Sequence, residues 1–449
     1  MQEQRLRRGD KVEVTIDAVG PGGEGTAAHG DRVVHVPGLF PSERAVVVIE
    51  HVDRQGPRAW GRALELVQAR DDRRRSPCRH HPEVVGRGEG PGCGGCPWMA
   101  LSDVGQRGLR KAWLQQLELT VERIDAGAAL GYRQSAKRVA FTDRFGALRL
   151  GSFAPRSHEG AAMTGCLVDH PTLAAAFAAI ERAAAQLGIG AVDQGGPIRA
   201  VWGKSDGEAV LLTLIVQAGV AFDPDPLIDR VGPLCRVDGW SLAEHEGQGN
   251  AVRGGEARVL RGLDALQTTL AGAPLRITPL GFLQPNPEIA ARAYRALLGT
   301  AGGEAVHGAF ALDLFAGAGL TTALLRAQFD EVRPVESYPE SAAALDVPAE
   351  DAAQATAALA DAVLAGTAAC PDLVVANPPR AGLGATLCKA LLALGAPRIH
   401  IMSCNPATLR RDLDRLSGRY RLVELRAFDT LPQTPHVEVV AWLQLQESR

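Results

Sequence analysis

Cys404 stands between an apolar run, RIHIM (398–402), and an amphipathic one, PATLRRDL (406–413). Pro406 suits the first position of a helix. The thiol is therefore expected just ahead of a helix N-terminus, where the dipole favours the thiolate and lowers its pKa. A cysteine so placed can act as a nucleophile; inert packing is the plain alternative. Further on, Glu438 lies in the apolar run VEVVAWLQL (437–445), two residues after His436. In a strand the two share a face. A carboxylate among apolar residues needs a partner or a proton to move. It is either half of an ion pair or a general base.

A second group of residues suggests a nucleoside site. DLFAGAGLTT (313–322) reads as a strand ending near Phe315, with Gly317 and Gly319 opening a helix. Glycines there permit a tight turn and close approach of the backbone to a ligand. The next apolar strand, EVRPVE, ends in Glu336, which is placed to accept hydrogen bonds from ribose hydroxyls. A dinucleotide fold would give the same picture. VVANPPR (374–380) is a strand that ends in Asn377, with two prolines that stiffen the adjoining loop.

The third group is made of thiols. Cys78, Cys93, Cys96 and Cys166 lie in the first part of the chain, in the pattern PCRHH then CGGCPWM and a distant fourth cysteine. C-x-x-C with two further thiols can hold zinc or an iron–sulfur cluster, and spacing alone favours zinc slightly. Cys235, Cys370 and Cys388 are scattered.

These residues need elements to position them. Residues 1–66 carry short alternating strands such as KVEVTIDAV and RAVVVIEHV around glycine turns, the pattern of a small OB-like β-barrel. The polar linker DDRRRS (71–76) follows. From 132 to 270, strands mix with an alanine-rich helix at 172–187. From about 288, short apolar strands alternate with amphipathic helices, which implies an open, mostly parallel sheet. Ligands on such sheets bind at the carboxyl ends of the strands, where the residues above fall. The chain is therefore expected to be multidomain: a barrel over 1–68, an α+β central domain with the cysteines over 69–275, and an α/β Rossmann-like domain over 276–449.

Bulk properties narrow the class. A chain of 449 residues can bury large cores without disulfides. The net charge of −3 excludes a uniformly basic surface, so any nucleic-acid contact must come from local Arg and Lys clusters. No apolar run of about 18 residues suggests a membrane span. The charged N-terminus MQEQRLRRGDKVEV lacks a signal core, so a cytoplasmic, non-membrane protein is expected, and a monomer.

Together these motifs resemble the RNA uridine-C5 methyltransferase family over most of the chain. SCNPATLRRDL and PQTPHVE are its most specific elements; VPGLFPSERAVVV resembles the family's RNA-binding TRAM barrel, and GFLQPN (281–286) its substrate-and-cofactor segment. The resemblance implies an S-adenosylmethionine-dependent enzyme forming 5-methyluridine, with 23S ribosomal RNA as target and the tRNA T-loop second. It implies Cys404 as nucleophile and Glu438 as the base. Gln284, Phe315 and Glu336 would contact the cofactor, with Leu320 and Asn377 at further cofactor positions. Cys78, Cys93, Cys96 and Cys166 would hold a 4Fe-4S cluster. Four departures stand out. Asn377 replaces the family's acid before Pro-Pro-Arg, Leu320 replaces an Asn, the stretch after Glu336 is short, and the gap from Cys78 to Cys93, which holds His80 and His81, is longer than is usual in the family. They open two alternatives: an RNA-binding protein with a weakened cofactor site, and an amino-nitrogen methyltransferase with Asn-Pro-Pro at its strand tip. In the second, Arg380 stands where an aromatic would be required.

Overall fold

The computed structural model describes residues 6–85, 90–155, 157–247 and 255–446. The first six strands are β1 (Lys11–Thr15), β2 (Ala18–Val19), β3 (Gly25–His29), β4 (Arg32–Val36), β5 (Arg44–Val52) and β6 (Arg58–Gln68). They form one sheet in the order β1-β5-β6-β4-β3-β2. Alternation along β5 turns Ala45, Val47 and Ile49 inward onto Val14, Ile16, Val34 and Val36. The ladder between β5 and β6 shifts register at three places, irregularities that raise local twist.

The chain then forms α1 (Asp103–Gln116) and the short β7 (Ile124–Asp125). Ser102 caps α1 by accepting from the Gly105 N–H. A second sheet follows, with β8 (Ser135–Thr142), β9 (Leu148–Phe153), β10 (Gly160–Ala162), β11 (Ile198–Ser205), β12 (Val210–Gln217), β13 (Gly239–His245) and β14 (Arg258–Gly262) in the order β10-β9-β8-β11-β12-β13-β14. Helices α2 (Pro171–Leu187) and α3 (Asp225–Val231) pack on it. Pro171 starts α2, its Leu173, Phe177 and Ile180 are buried, and Gly188 ends it in a left-handed conformation. A hairpin of β15 (Leu266–Leu270) and β16 (Ala273–Ile277) leads out.

The last sheet positions the candidate site. Its elements are α4 (Pro287–Leu298), β17 (Gly308–Leu314), α5 (Leu320–Leu325), β18 (Phe329–Val335), α6 (Pro339–Ala344), α7 (Ala352–Leu364), β19 (Leu373–Ala376), α8 (Gly384–Leu394), β20 (Arg398–Ser403), α9 (Pro406–Leu416), β21 (Tyr420–Phe428) and β22 (Glu438–Leu445). The strand order is β18-β17-β19-β20-β22-β21-β7. β18, β17, β19 and β20 are parallel, and β22 is antiparallel to both β20 and β21. Both faces are covered, which explains the nearly unbroken apolar strands. Leu312 and Leu314 face one core with α7 and α8, while Ala311 faces the other with α4. After β17 the chain goes to one side for β18 and to the other for β19. The crevice between the ends of β17 and β19 is thus a topological switch point.

Two features were not expected from sequence. β7 and α1 lie within the 69–275 stretch, yet β7 pairs in parallel with β21, and Leu114, Leu119 and Val121 join the core of the last sheet. The stretch between β18 and β19 holds two helices and a single bridge, Glu336 to Ala349. Among the described residues no helix is long and apolar enough to cross a membrane.

Candidate active site

β17 carries Asp313 into the core, where burial pushes its carboxyl up to about 7 and the Thr322 hydroxyl donates to it at 2.6 Å. The turn beyond β17 is held in left-handed backbone at Phe315 (φ 61), Gly317 (φ 56) and Gly319 (φ 83). Glycine adopts this freely, whereas Phe315 does so at a cost that marks a constrained site. Glu336, just past β18, accepts from the Gly317 N–H at 2.8 Å and from the Tyr338 N–H at 2.7 Å. One lone pair on each oxygen remains for ribose hydroxyls.

The β19 tip is tied to its neighbours on both sides. The Asn377 N–H reaches the Leu314 carbonyl at 3.4 Å. The Arg380 carbonyl accepts from Asn405 Nδ2 at 3.0 Å and Thr408 Oγ1 at 3.3 Å. These bonds dock the Pro-Pro-Arg turn on the segment that holds Cys404. Cys404 follows β20, and Pro406 opens α9 as expected.

Register brings Cys404 and Glu438 together. The antiparallel ladder ends at the pair Ser403 and Val439; Cys404 follows just beyond β20 and Glu438 opens β22, and both line one cavity, where the thiol feels the carboxylate. Burial pushes the Glu438 carboxyl up to about 7, against the pull of Arg380. The Cys404 thiol also moves up: burial is the main cause, Glu438 adds to it, and Arg380 opposes both. The expected lowering by the α9 dipole is thereby corrected, since burial beside a carboxylate outweighs it. His436 is not on the strand, which begins at Glu438; the carbonyls of Thr434 and His436 are instead bound by Arg110.

One cavity of about 660 Å³ takes in Gln284, Phe315, Gly317, Leu320, Asn377, Cys404 and Glu438. Glu336 stands behind it, bonded to Gly317. Tyr294 of α4 also lines this cavity, 3.4 Å from Gln284 Nε2. Burial pushes its phenol up, and hydrogen bonds with Gln284 and Asn377 oppose the shift. Sequence reasoning missed Tyr294, whose helical spacing reads as packing, and assigned Arg380 no role. The chemistry open to this arrangement is a thiol and a base on one wall, with a nucleoside-sized space beside a glycine turn.

The four expected metal ligands lie elsewhere. Cys78, Cys96 and Cys166 pack around Met99 and Tyr132, and Cys93 beside Ala154 and Ala161. All four are free. Burial pushes the Cys96 thiol up, and Cys166, Cys93 and Cys78 add to it. Thiols are the donors that iron–sulfur clusters use, but among the described residues no group of three or more His, Cys, Asp or Glu side chains is arranged to hold a metal ion, so the expected 4Fe-4S cluster rests on donor chemistry and not on this geometry.

Comparison with known proteins gives consistent findings. A family model described as tRNA (uracil-5-)-methyltransferase matches residues 359–446. An uncharacterised RNA methyltransferase of Gloeobacter violaceus is 31% identical, over 98% of this chain and 97% of its own length. One from Halalkalibacterium halodurans is 28% identical over 99% of both. Among solved structures, the Pyrococcus abyssi tRNA (uracil-54, C5)-methyltransferase, in complex with S-adenosyl-L-homocysteine, superposes with a TM-score of 0.69 at 21% identity, covering 96% of this chain and 100% of that one.

Proposed function

The chain belongs to the RNA uracil-C5 methyltransferase family, and we propose that it forms 5-methyluridine in RNA from S-adenosylmethionine, with Cys404 as covalent nucleophile and Glu438 as base. The observation that supports this most is that Cys404 and Glu438 line one cavity together with the tips of β17 and β19.

Carbon 5 of uracil is a poor nucleophile until the ring is activated. The Cys404 thiolate would add to carbon 6, and the electron pair of the 5,6 double bond would move onto the carbon 4 oxygen. Carbon 5 is then electron-rich. Carbon 5 would use that electron pair to bond the methyl group that S-adenosylmethionine would supply from its sulfonium, which would become the thioether of S-adenosylhomocysteine. Glu438 would take the proton from carbon 5, the 5,6 double bond would re-form, and the Cys404 sulfur would leave. Arg380, placed to pull both ionisations down, would hold the thiolate and carboxylate forms. Gln284, Phe315, Leu320, Asn377 and Glu336 would bind the cofactor. The uridine must leave its stack for both ring faces to be reached.

Cys78, Cys93, Cys96 and Cys166 would hold a 4Fe-4S cluster in a structural role, since methyl transfer needs no electron. The barrel over 1–68 would serve as a TRAM-type RNA-binding domain, the stretch 69–275 as the cluster domain and 276–449 as the catalytic domain. Our preferred target is 23S ribosomal RNA, on the resemblance of the barrel and the cysteine set. The solved tRNA enzyme keeps the T-loop uridine as the second reading.

The test is mass spectrometry of RNA from a strain lacking the protein. One 5-methyluridine should disappear, from 23S RNA or from tRNA, and return with the wild-type gene but not with Cys404→Ala. Intact methylation in the deletion strain, with no cofactor binding by calorimetry, would leave a decayed site instead.

A further inference from the structure

Glu438 is the first residue of β22, so only one side of it is fixed by the sheet. The other side is the segment 432–436, which contains Pro432 and Pro435 and belongs to no strand. The groups that fix this segment come from far earlier in the chain. Gln433 is fully buried and held at φ 71. Its N–H donates to Gln106 Oε1 at 3.0 Å, while Gln106 Nε2 donates to Gln433 Oε1 at 2.7 Å. The Trp98 N–H donates to its carbonyl at 3.0 Å, and its own Nε2 donates to the Ala129 carbonyl at 3.1 Å. Every polar group of Gln433 is used.

Arg110 continues the grip one turn further along α1. Its Nη2 donates to the Thr434 carbonyl at 2.5 Å and its Nε to the His436 carbonyl at 3.1 Å. Asp429 neutralises it at 2.9 Å. Gln106 and Arg110 are both buried, four residues apart and so on one face of the helix. Neither lines the cavity.

We propose that Gln106 and Arg110 are positioning residues that clasp the segment 432–436 and thereby aim the Glu438 carboxylate at the carbon 5 proton. The inference rests on the assignment of Glu438 as base. A displaced carboxylate slows proton removal, because an error of about 1 Å at a reacting group can cost about a hundredfold in rate. It does not slow Cys404 attack or methyl transfer, which precede it.

The experiment is single-turnover kinetics on full-length Gln106→Met and Arg110→Lys, the second of which keeps the charge opposite Asp429. Two substrates are used, RNA with the natural uridine and RNA with 5-fluorouridine, whose fluorine no base can remove. The clasp predicts that release of methylated natural RNA slows by about tenfold to a hundredfold and that the covalent adduct accumulates. Adduct formation on the fluorinated RNA and cofactor affinity by calorimetry should stay at wild-type values. Wild-type release in both variants would overturn the proposal. So would a parallel loss of fluorinated adduct, which marks general damage. Glu438→Gln is run alongside: if that variant releases product normally, the base assignment itself has failed, whatever Gln106→Met does.

Discussion

The carboxyl of Glu438 is pushed from 4.5 up to about 7, and that shift sets a measurable clock. Under the proposed mechanism only the ionised form can take the carbon 5 proton. With a pKa near 7, about nine-tenths of the enzyme is competent at pH 8 and about one-tenth at pH 6, roughly a tenfold range. The step can be isolated by forming the covalent RNA adduct at pH 8 in the cold, then jumping the pH with an excess of unlabelled RNA. Adduct decay, followed on denaturing gels, should be about tenfold slower at pH 6 than at pH 8. Arg380 is the charge that opposes the upward shift, so Arg380→Met should move the midpoint above 7 and slow decay at pH 7. Glu438→Gln should show a persistent adduct at every pH. A decay rate that is flat from pH 6 to 8 in the wild type, or a pH-dependent decay in Glu438→Gln, would refute the reasoning.

Thr322→Val removes the hydroxyl that donates to the buried Asp313 carboxyl. Leaving that group unsatisfied should cost about 1–3 kcal/mol of stability and weaken cofactor binding through the adjoining glycine turn, as thermal unfolding and calorimetry would show. Protein purified without oxygen should be brown and contain iron bound through Cys78, Cys93, Cys96 and Cys166; one equivalent of zinc with no iron would contradict the cluster. Deleting residues 1–68 should weaken RNA binding and flatten its salt dependence, which runs at about −0.7 per phosphate neutralised on a single strand. Filter binding at several salt concentrations would check this, with cofactor affinity expected to be unchanged.

Strand-tip chemistry was readable in the sequence because strands, turns and helix starts are local. Apolar runs ending in Phe315, Asn377 and Cys404 lie next to glycine or proline breaks, and the rule for parallel sheets says where ligands go. Gln284 was reached through family resemblance rather than through its own pattern, since GFLQPN has no periodicity to interpret. The direction of the Cys404 shift was misjudged because the helix N-terminus is a local feature, whereas burial and the nearby Glu438 arise only when β20 and β22 pair. Tyr294 looked like core on an amphipathic helix, and it is core, but its hydroxyl reaches the cavity. Gln106 and Arg110 gave no signal. A glutamine and an arginine on a helix read as solvated until a distant segment folds over them.

That distance has a consequence for how the molecule is made. Gln106 and Gln433 are separated by 327 positions, and β7 covers the last two residues on the outer edge of β21. As the chain leaves the ribosome, α1 and β7 emerge early and must wait, their partners unmade, until almost the last strand appears. Long-range closure of this kind slows folding and prolongs exposure of unpaired edges and apolar faces. A fragment begun at residue 276 would lose Leu270, Pro274 and Leu275 from the cavity and uncover the end of β21 that β7 pairs with, adding to an exposed edge of the kind that templates aggregation. Residues 98–132 are in this sense a late-acting brace for the last sheet. Expression trials that seek a minimal enzyme should begin upstream of residue 98, or supply 98–132 as a separate peptide.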